Sequence, residues 1–128
     1  MFLLHEIPIA TATAGNVTGN AIKVMSPPGA GAQFAKHTFQ GLLRTSTGSV
    51  AGTATIVVQV SNDPLAESTP SSAGWITLGT ITLNGTATTT VPVTDGFSSD
   101  AAWKYVRGYI AQNGITGANT IASLIMGV

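Results

Sequence analysis

Few residues in this chain are of types that do chemistry, and their spacing decides how each can be used. A serine-type hydrolase needs a nucleophile, a histidine and an acid brought together in space. The two histidines are His5, inside an apolar N-terminal stretch, and His37, at the head of a strand-like segment; no Gly-x-Ser-x-Gly elbow accompanies them. Paired carboxylates for glycoside hydrolysis would have to come from Glu6, Asp63, Glu67, Asp95 and Asp100. All of these but Glu6 stand beside Pro, Gly, Ser or Asn, where acids cap turns. Asp95, Ser98 and Asp100 offer oxygen ligands to a calcium ion, and an Asx turn accounts for the same residues. With no cysteine in the chain, thiolate metal sites, cysteine nucleophiles and disulfides are excluded. The expectation is a protein without catalytic residues, metal or cofactor.

A different chemistry gathers in the stretch 101–112, which holds Lys104, Arg107, Trp103 and both tyrosines of the chain. At a period of 2, Trp103, Tyr105, Arg107, Tyr109 and Ala111 share one face, and Lys104, Val106, Gly108, Ile110 and Gln112 share the other. Together with Trp75, such residues could stack sugar rings and read hydroxyls. The competing use is structural: aromatics packing between sheets, with the aliphatic stem of Arg107 lying over a ring. Aromatics are only 6% of the chain, and the core needs some of them, which favours the structural use. On that reading the stretch is a central strand, anchored by Trp103 and Tyr105, with Arg107 bridging to another strand or subunit.

The elements that would position these residues are strands. Thr53–Ser61 alternates with Ala54, Ile56, Val58 and Val60 toward a core. His37–Thr45 places His37, Phe39, Gly41 and Leu43 on one face. Ile9–Ala14, Ala21–Met25, Trp75–Leu83 and Thr120–Gly127 also read as strands. Turn composition marks Gly15–Asn20, whose Asn16-Val17-Thr18 is read as a polar turn rather than a glycosylation acceptor. It also marks the irregular Ser26–Ala32 with Pro27 and Pro28, and the polar loop Leu65–Gly74. Asn84-Gly85 predicts a type I′ hairpin with Thr86–Val93 as the returning edge strand. Asp95–Asp100 reads as a connection, and Asn113-Gly114 as a turn. A repeat of Gly52-Thr53-Ala54-Thr55 at Gly85-Thr86-Ala87-Thr88 reflects shared strand chemistry rather than a solenoid. No segment carries a helical period. The expected fold is an all-β, antiparallel β-sandwich or jelly roll of about seven to nine short strands, forming one domain over residues 1–128. Residues 1–8 are either the opening strand or an N-terminal arm laid on a neighbouring subunit.

Composition bounds the function. Charged residues make up 8% of the chain, against about 25% in an average domain, and the formal net charge is zero. Thr, Ser, Asn and Gly solvate the surface instead, which suits a chain pressed against neighbours or one living outside cells; the alternative is an ordinary soluble β domain with few charges. Lys23, Lys36, Arg44, Lys104 and Arg107 are scattered, so a basic patch for nucleic acid is not expected. No apolar run approaches a membrane span. Met1–Leu4, without a basic flank, is too short for a signal peptide.

One resemblance follows from the order of motifs in the second half. The sequence runs from a strand into Ser61-Asn62-Asp63, a variable loop, Trp75-Ile76-Thr77-Leu78-Gly79, Asp95-Gly96-Phe97 and Ala102-Trp103-Lys104-Tyr105-Val106-Arg107. Over Thr53–Val128 this order resembles the capsid decoration, or cement, proteins of tailed bacteriophages. Related modules also occur in phage tails and head fibres. The resemblance implies a jelly-roll-like sandwich that binds the assembled major-capsid-protein lattice, often as a homotrimer at local three-fold sites. It further implies a place on the capsid surface of the virion, after synthesis in the bacterial cytoplasm. Lattice or intersubunit contact would then fall on Phe2, Leu3, Leu4 and Ile7 of the N-terminal stretch, on Pro27 and Pro28 of the loop, and on Arg107. The alternative is a carbohydrate-binding or fibre adhesion module built on the aromatic set.

Overall fold

Val, Ile and Thr crowd the segment Val50–Ser61, and β-branched side chains favour a pleated surface. In the computed structural model this segment is a central strand, as are most others that alternate. The structure describes residues 2–9, 15–18, 21–23, 37–44, 50–89, 93–99, 103–116 and 120–127. The strands are β1 (Phe2–Ile9), β2 (Gly15–Thr18), β3 (Ile22–Lys23), β4 (His37–Arg44), β5 (Val50–Ser61), β6 (Ile76–Thr89), β7 (Val93–Ser99), β8 (Tyr105–Thr116) and β9 (Thr120–Gly127). Between β5 and β6 lie a single helical turn, α1 (Leu65–Ser68), and a 3-10 turn (Pro70–Ser72).

The strands form two antiparallel sheets. One has the order β1-β9-β4-β7 and the other β2-β8-β5-β6, with β3 also pairing to β8. β2 and β3 lie along the same side of β8, opposite Gln112–Tyr109 and Val106–Tyr105, so they act as one interrupted edge strand. The pairs are nested: β5 with β6, β4 with β7, β2 and β3 with β8, and β1 with β9. A long antiparallel ribbon folded over itself gives this order, which is that of a jelly roll. The all-β sandwich expected from the alternation is the fold observed. The strands are not short, however: β6 runs 14 residues and β5 and β8 run 12 each.

The core lies between the sheets. Phe39, Leu43, Ala122, Leu124 and Met126 from one sheet meet Ala54, Ile56, Val58, Val60, Ile81, Leu83, Val106 and Ile110 from the other. Each fully buried Ile or Leu contributes roughly 1.5–3 kcal/mol. The alternation read in β5 and β4 is the buried pattern found, with His37 also inside and its ring 6.3 Å from that of Phe39. Phe97 closes the sandwich beside β6 and β7; its ring stacks on Phe39 at 5.1 Å and lies over the backbone of Gly79.

Several segments expected as turns are strand. Gly15–Thr18 is β2, Val93–Ser99 is β7, Asn84-Gly85 lies inside β6 and Asn113-Gly114 inside β8. The two Asn-Gly dipeptides share one cause: Asn84 and Asn113 both pair with Thr53, on its two sides. The Thr53 hydroxyl donates to Asn84 Oδ1 at 2.9 Å, so the asparagine is satisfied across strands rather than in a turn. The glycine with positive φ here is Gly52, at 99°, where the registers of β5 with β6 and with β8 both shift. Thr86–Thr89 thus continues β6 instead of returning along it. Trp103 precedes β8, packed against the core while half-buried. Phe2–Ile9 pairs with β9 through the sheet, with a bulge between Leu3 and His5. Among the described residues no helix is long and apolar enough to cross a membrane.

Gly79 sets a test of this packing. A Cβ there would stand 2.5 Å from Phe97 Cζ, so the ring has to move. Gly79→Val is expected to lower stability by about 1–3 kcal/mol through overpacking, read as a lower urea midpoint with an unchanged far-UV spectrum.

Candidate functional site

The long β5–β6 connection is held by its own polar residues. Asp63 Oδ1 accepts from the Leu65 N–H and Oδ2 from the Gly74 N–H, each at 2.9 Å. The Ser61 hydroxyl donates to the Gly74 carbonyl at 2.5 Å and accepts from the Asp63 N–H at 3.0 Å. Asn62 Oδ1 accepts from the Lys104 N–H at 2.9 Å, which ties the connection to the approach of β8. Backbone donors stabilise the ionised form of Asp63, so its pKa is lowered, the Gly74 bond contributing most and the Leu65 bond next.

The aromatic and basic residues meet on the outer face of the five-stranded sheet, beside this connection. Gln59 and Arg107 are partners in the β5–β8 register, and Arg107 Nε–H donates to Gln59 Oε1 at 2.8 Å. The guanidinium lies 4.1 Å from the Trp75 ring centroid, a cation–π contact. Partial burial lowers the Arg107 pKa. The Trp75 indole N–H donates to the Pro70 carbonyl at 2.9 Å. Two residues along β8, the buried Tyr105 donates its hydroxyl to Glu67 Oε2 at 3.0 Å, and Lys23 Nζ stands 3.8 Å from the same oxygen. Burial raises the Tyr105 pKa first, and the Glu67 carboxylate raises it further. Lys104 Nζ sits 5.4 Å from the Tyr105 ring centroid.

These contacts bear on the two uses of the cluster. A sugar platform needs a bare ring face and polar groups aimed at solvent. Here Arg107 covers one face of Trp75, and the Trp75 indole N–H, the Tyr105 hydroxyl and the Arg107 Nε–H are given to Pro70, Glu67 and Gln59. Trp103 points its indole nitrogen inward, where it finds no partner among the described residues. The cluster rivets the connection onto the sheet, and Arg107 bridges β8 to β5 and to the start of β6.

The other residues singled out from sequence fall apart in space. Phe2, Leu3, Leu4 and Ile7 lie on β1, at the edge of the four-stranded sheet, with Phe2 opposite Met126 and Ile7 opposite Ala122. Leu4 occupies the bulge. Pro27 and Pro28 lie outside the described residues. His5 and His37 sit on β1 and β4, separated by β9. Asp95 is in a strand, exposed, and its carboxylate accepts from the adjacent Gly96 N–H at 2.8 Å. Asp100 is outside the described residues. Among those described, no group of three His, Cys, Asp or Glu could hold a metal ion.

Alternation turns Thr53, Thr55 and Val57 of β5 outward, but the sheet face they share with β6 beyond the rivet was not foreseen. There the outer positions are Thr53, Thr55 and Val57 of β5, Thr80, Thr82 and Asn84 of β6, and Tyr109 of β8. Neither β5 nor β6 carries a charged residue along its whole length. The signal was present as alternate threonines, but the assumed hairpin at Asn84 cut the face in two.

Two measurements check this geometry. Arg107→Lys keeps the charge but loses both the Nε–H donor and the planar stack. It should cost about 1 kcal/mol and shift tryptophan emission through Trp75. Because the Asp63 pKa is lowered in the fold, its contribution is present above the ordinary aspartate range and lost as pH falls through the lowered value. Asp63→Asn should therefore be less stable than the parent at neutral pH and lose less on acidification, by urea titration at both pH values.

Against this geometry stands a plain result from comparison: no protein-family model, no curated protein and no solved structure matches the chain.

Proposed function

We propose that this chain is a virion structural protein of the decoration, or cement, type, which binds an assembled capsid lattice and stabilises it. Its partners are the major capsid protein and further copies of itself, rather than nucleic acid or a membrane. Its place is the capsid surface, and its role is mechanical rather than catalytic.

The observation that carries this reading is the uncharged outer face of β5 and β6. Burying a charge without a partner costs several kcal/mol, whereas threonine hydroxyls and a valine lose little on contact and can bond across an interface. A face of this kind, broad and ridged by Thr55, Val57, Thr80 and Thr82, is suited to being covered. Most freely diffusing domains keep charge there. Many copies on a symmetric lattice add avidity, so each contact can be weak. The jelly-roll order supports the reading at the level of architecture, since capsid proteins share that architecture with lectins. The rivet at Trp75 and Arg107 supports this reading over the glycan alternative, since it engages one ring face and the indole N–H.

The N-terminal contact residues take a definite form in this proposal. Phe2, Leu3, Leu4 and Ile7 act from an edge strand, so the lattice would meet β1 as part of the sheet. Arg107 acts indirectly, by tying β8 to Gln59 of β5 and to Trp75 beside the outer face.

Capsids assembled from the major capsid protein encoded with this chain provide the test. The purified protein should pellet with them in a saturable, fixed ratio and raise their thermal midpoint; protein that stays in the supernatant at every ratio refutes the reading. Val57→Glu, which leaves the core untouched, is expected to weaken co-sedimentation roughly tenfold or more. Unchanged binding by that variant would move the contact off this face.

A further inference from the structure

A sheet edge presents backbone N–H and C=O groups that template pairing with another chain, and proteins usually blunt such edges. Three of the edges here are blunted. β1 contains Glu6 and Pro8 and a bulge after Leu3. β7 carries Asp95 in the register row of the buried Gly41, between Val93 and Phe97, so a charge stands on the core-side row of that edge. β2 and β3 are four and two residues long, interrupted, and end on the exposed Lys23. The edge β6 is different. It runs 14 residues without a charge or a proline, and among the described residues it pairs with β5 alone. Its irregularities, at Leu78 and beyond Gly85, leave Gly79–Gly85 as an uninterrupted ladder.

We propose that β6 is a self-pairing edge, through which two copies of this chain join antiparallel about a two-fold axis into one continuous sheet. The occupant of this edge has to satisfy three conditions. It must carry no unmatched charge, because a two-fold sets a charge on its axis against its own copy. It must carry hydroxyls and apolar side chains in the same alternation, so that the outer face and the core layer both continue. It must also offer an edge without a guard of its own. β6 of a second copy meets all three, and β1, β7 and the β2–β3 edge do not.

The register follows from using the full ladder. A two-fold through Thr82 pairs Gly79 with Gly85, Thr80 with Asn84 and Ile81 with Leu83 of the other copy, and Thr82 with its own equivalent. Each pair keeps hydroxyl and amide groups on the outer face and apolar groups inside. The Thr–Asn pair repeats one already made within the chain, where Thr53 donates to Asn84 at 2.9 Å. Cross-strand pairs of this type add to the backbone ladder. The interface is isologous and consumes the β6 edge of both chains, so it closes rather than growing into fibres.

Light scattering after gel filtration, together with hydrogen exchange at high and low concentration, tests the proposal on the full chain. A two-chain species is expected, with alternate amides of Gly79–Gly85 protected only at high concentration. Thr82→Lys sets like charges on the axis and should raise the dissociation constant roughly tenfold or more. Thr80→Lys with Asn84→Lys should do the same, whereas Thr80→Lys with Asn84→Asp should restore pairing, because opposite charges then face each other twice. Far-UV spectra and urea midpoints verify that these exposed substitutions leave the sandwich folded. A monomer at all concentrations, an oligomer whose mass ignores Thr82→Lys, or loss of pairing in both double variants overturns the proposal. A two-fold pair that does not pellet with capsids would refute the lattice reading and leave this one standing.

Discussion

Three isoleucines in a row hold this structure together. Ile56 on β5 is opposite Ile81 on β6 and Ile110 on β8, and all three are sealed from solvent. The facing sheet answers with Phe39, Leu43, Leu124 and Met126. Because strand side chains alternate with a period of 2, fixing this row also fixes what the five-stranded sheet shows on its other side. A slip of one residue would bring Thr55 and Val57 into the core and push Ile56 out. The core and the outer face are therefore one decision made by the same register. The bulges at Gly52 and Leu78 bound the stretch over which that register is regular.

The few charges of the five-stranded sheet collect at one end of it. Asp63, Glu67, Lys23, Lys104 and Arg107 surround the β5–β6 connection, bound to backbone groups, to Tyr105, to Trp75 and to Gln59. Polar groups spent on internal ties are poor readers of a ligand, because each new bond would first break an old one. The richest cluster of functional side chains thus has several of its polar groups already engaged within the fold. Its effect is felt along the sheet, where the threonine face is free, among the described residues, of both charge and loop.

How the sheet edges are finished points the same way. Prolines, bulges, short strands and core-side charges cost stability or regularity, and proteins carry them where pairing with strangers would be harmful. Such guards stand on three edges, whereas β6 carries no proline or charge and its irregularities leave Gly79–Gly85 regular, so the molecule is asymmetric in what it can join. An uncharged face and an unguarded edge adjoin on the same strand, so contact through either would extend the same surface.

Local sequence by itself determined the all-β class, the buried faces of β4 and β5, and the position of β9, because alternation is a property of neighbours in the chain. The polar stop at Asn62-Asp63-Pro64 was legible for the same reason, although its single helical turn was not. What the local signal could not decide was where a strand ends. Asn-Gly carries a strong turn preference, yet at residues 84 and 113 it pairs across Thr53, and long-range ladder bonds outweigh a local preference of about 1 kcal/mol. Mistaking Asn84-Gly85 for a hairpin divided β6 and hid its length, its threonine face and its open edge. The stretch around Trp103, Tyr105 and Arg107 was read as structural from composition, but its partners, Gln59, Glu67, Trp75 and Lys23, are far apart in sequence. Only folding brings them together, since hydrogen bonds and ring contacts between distant segments leave no periodic trace in the chain.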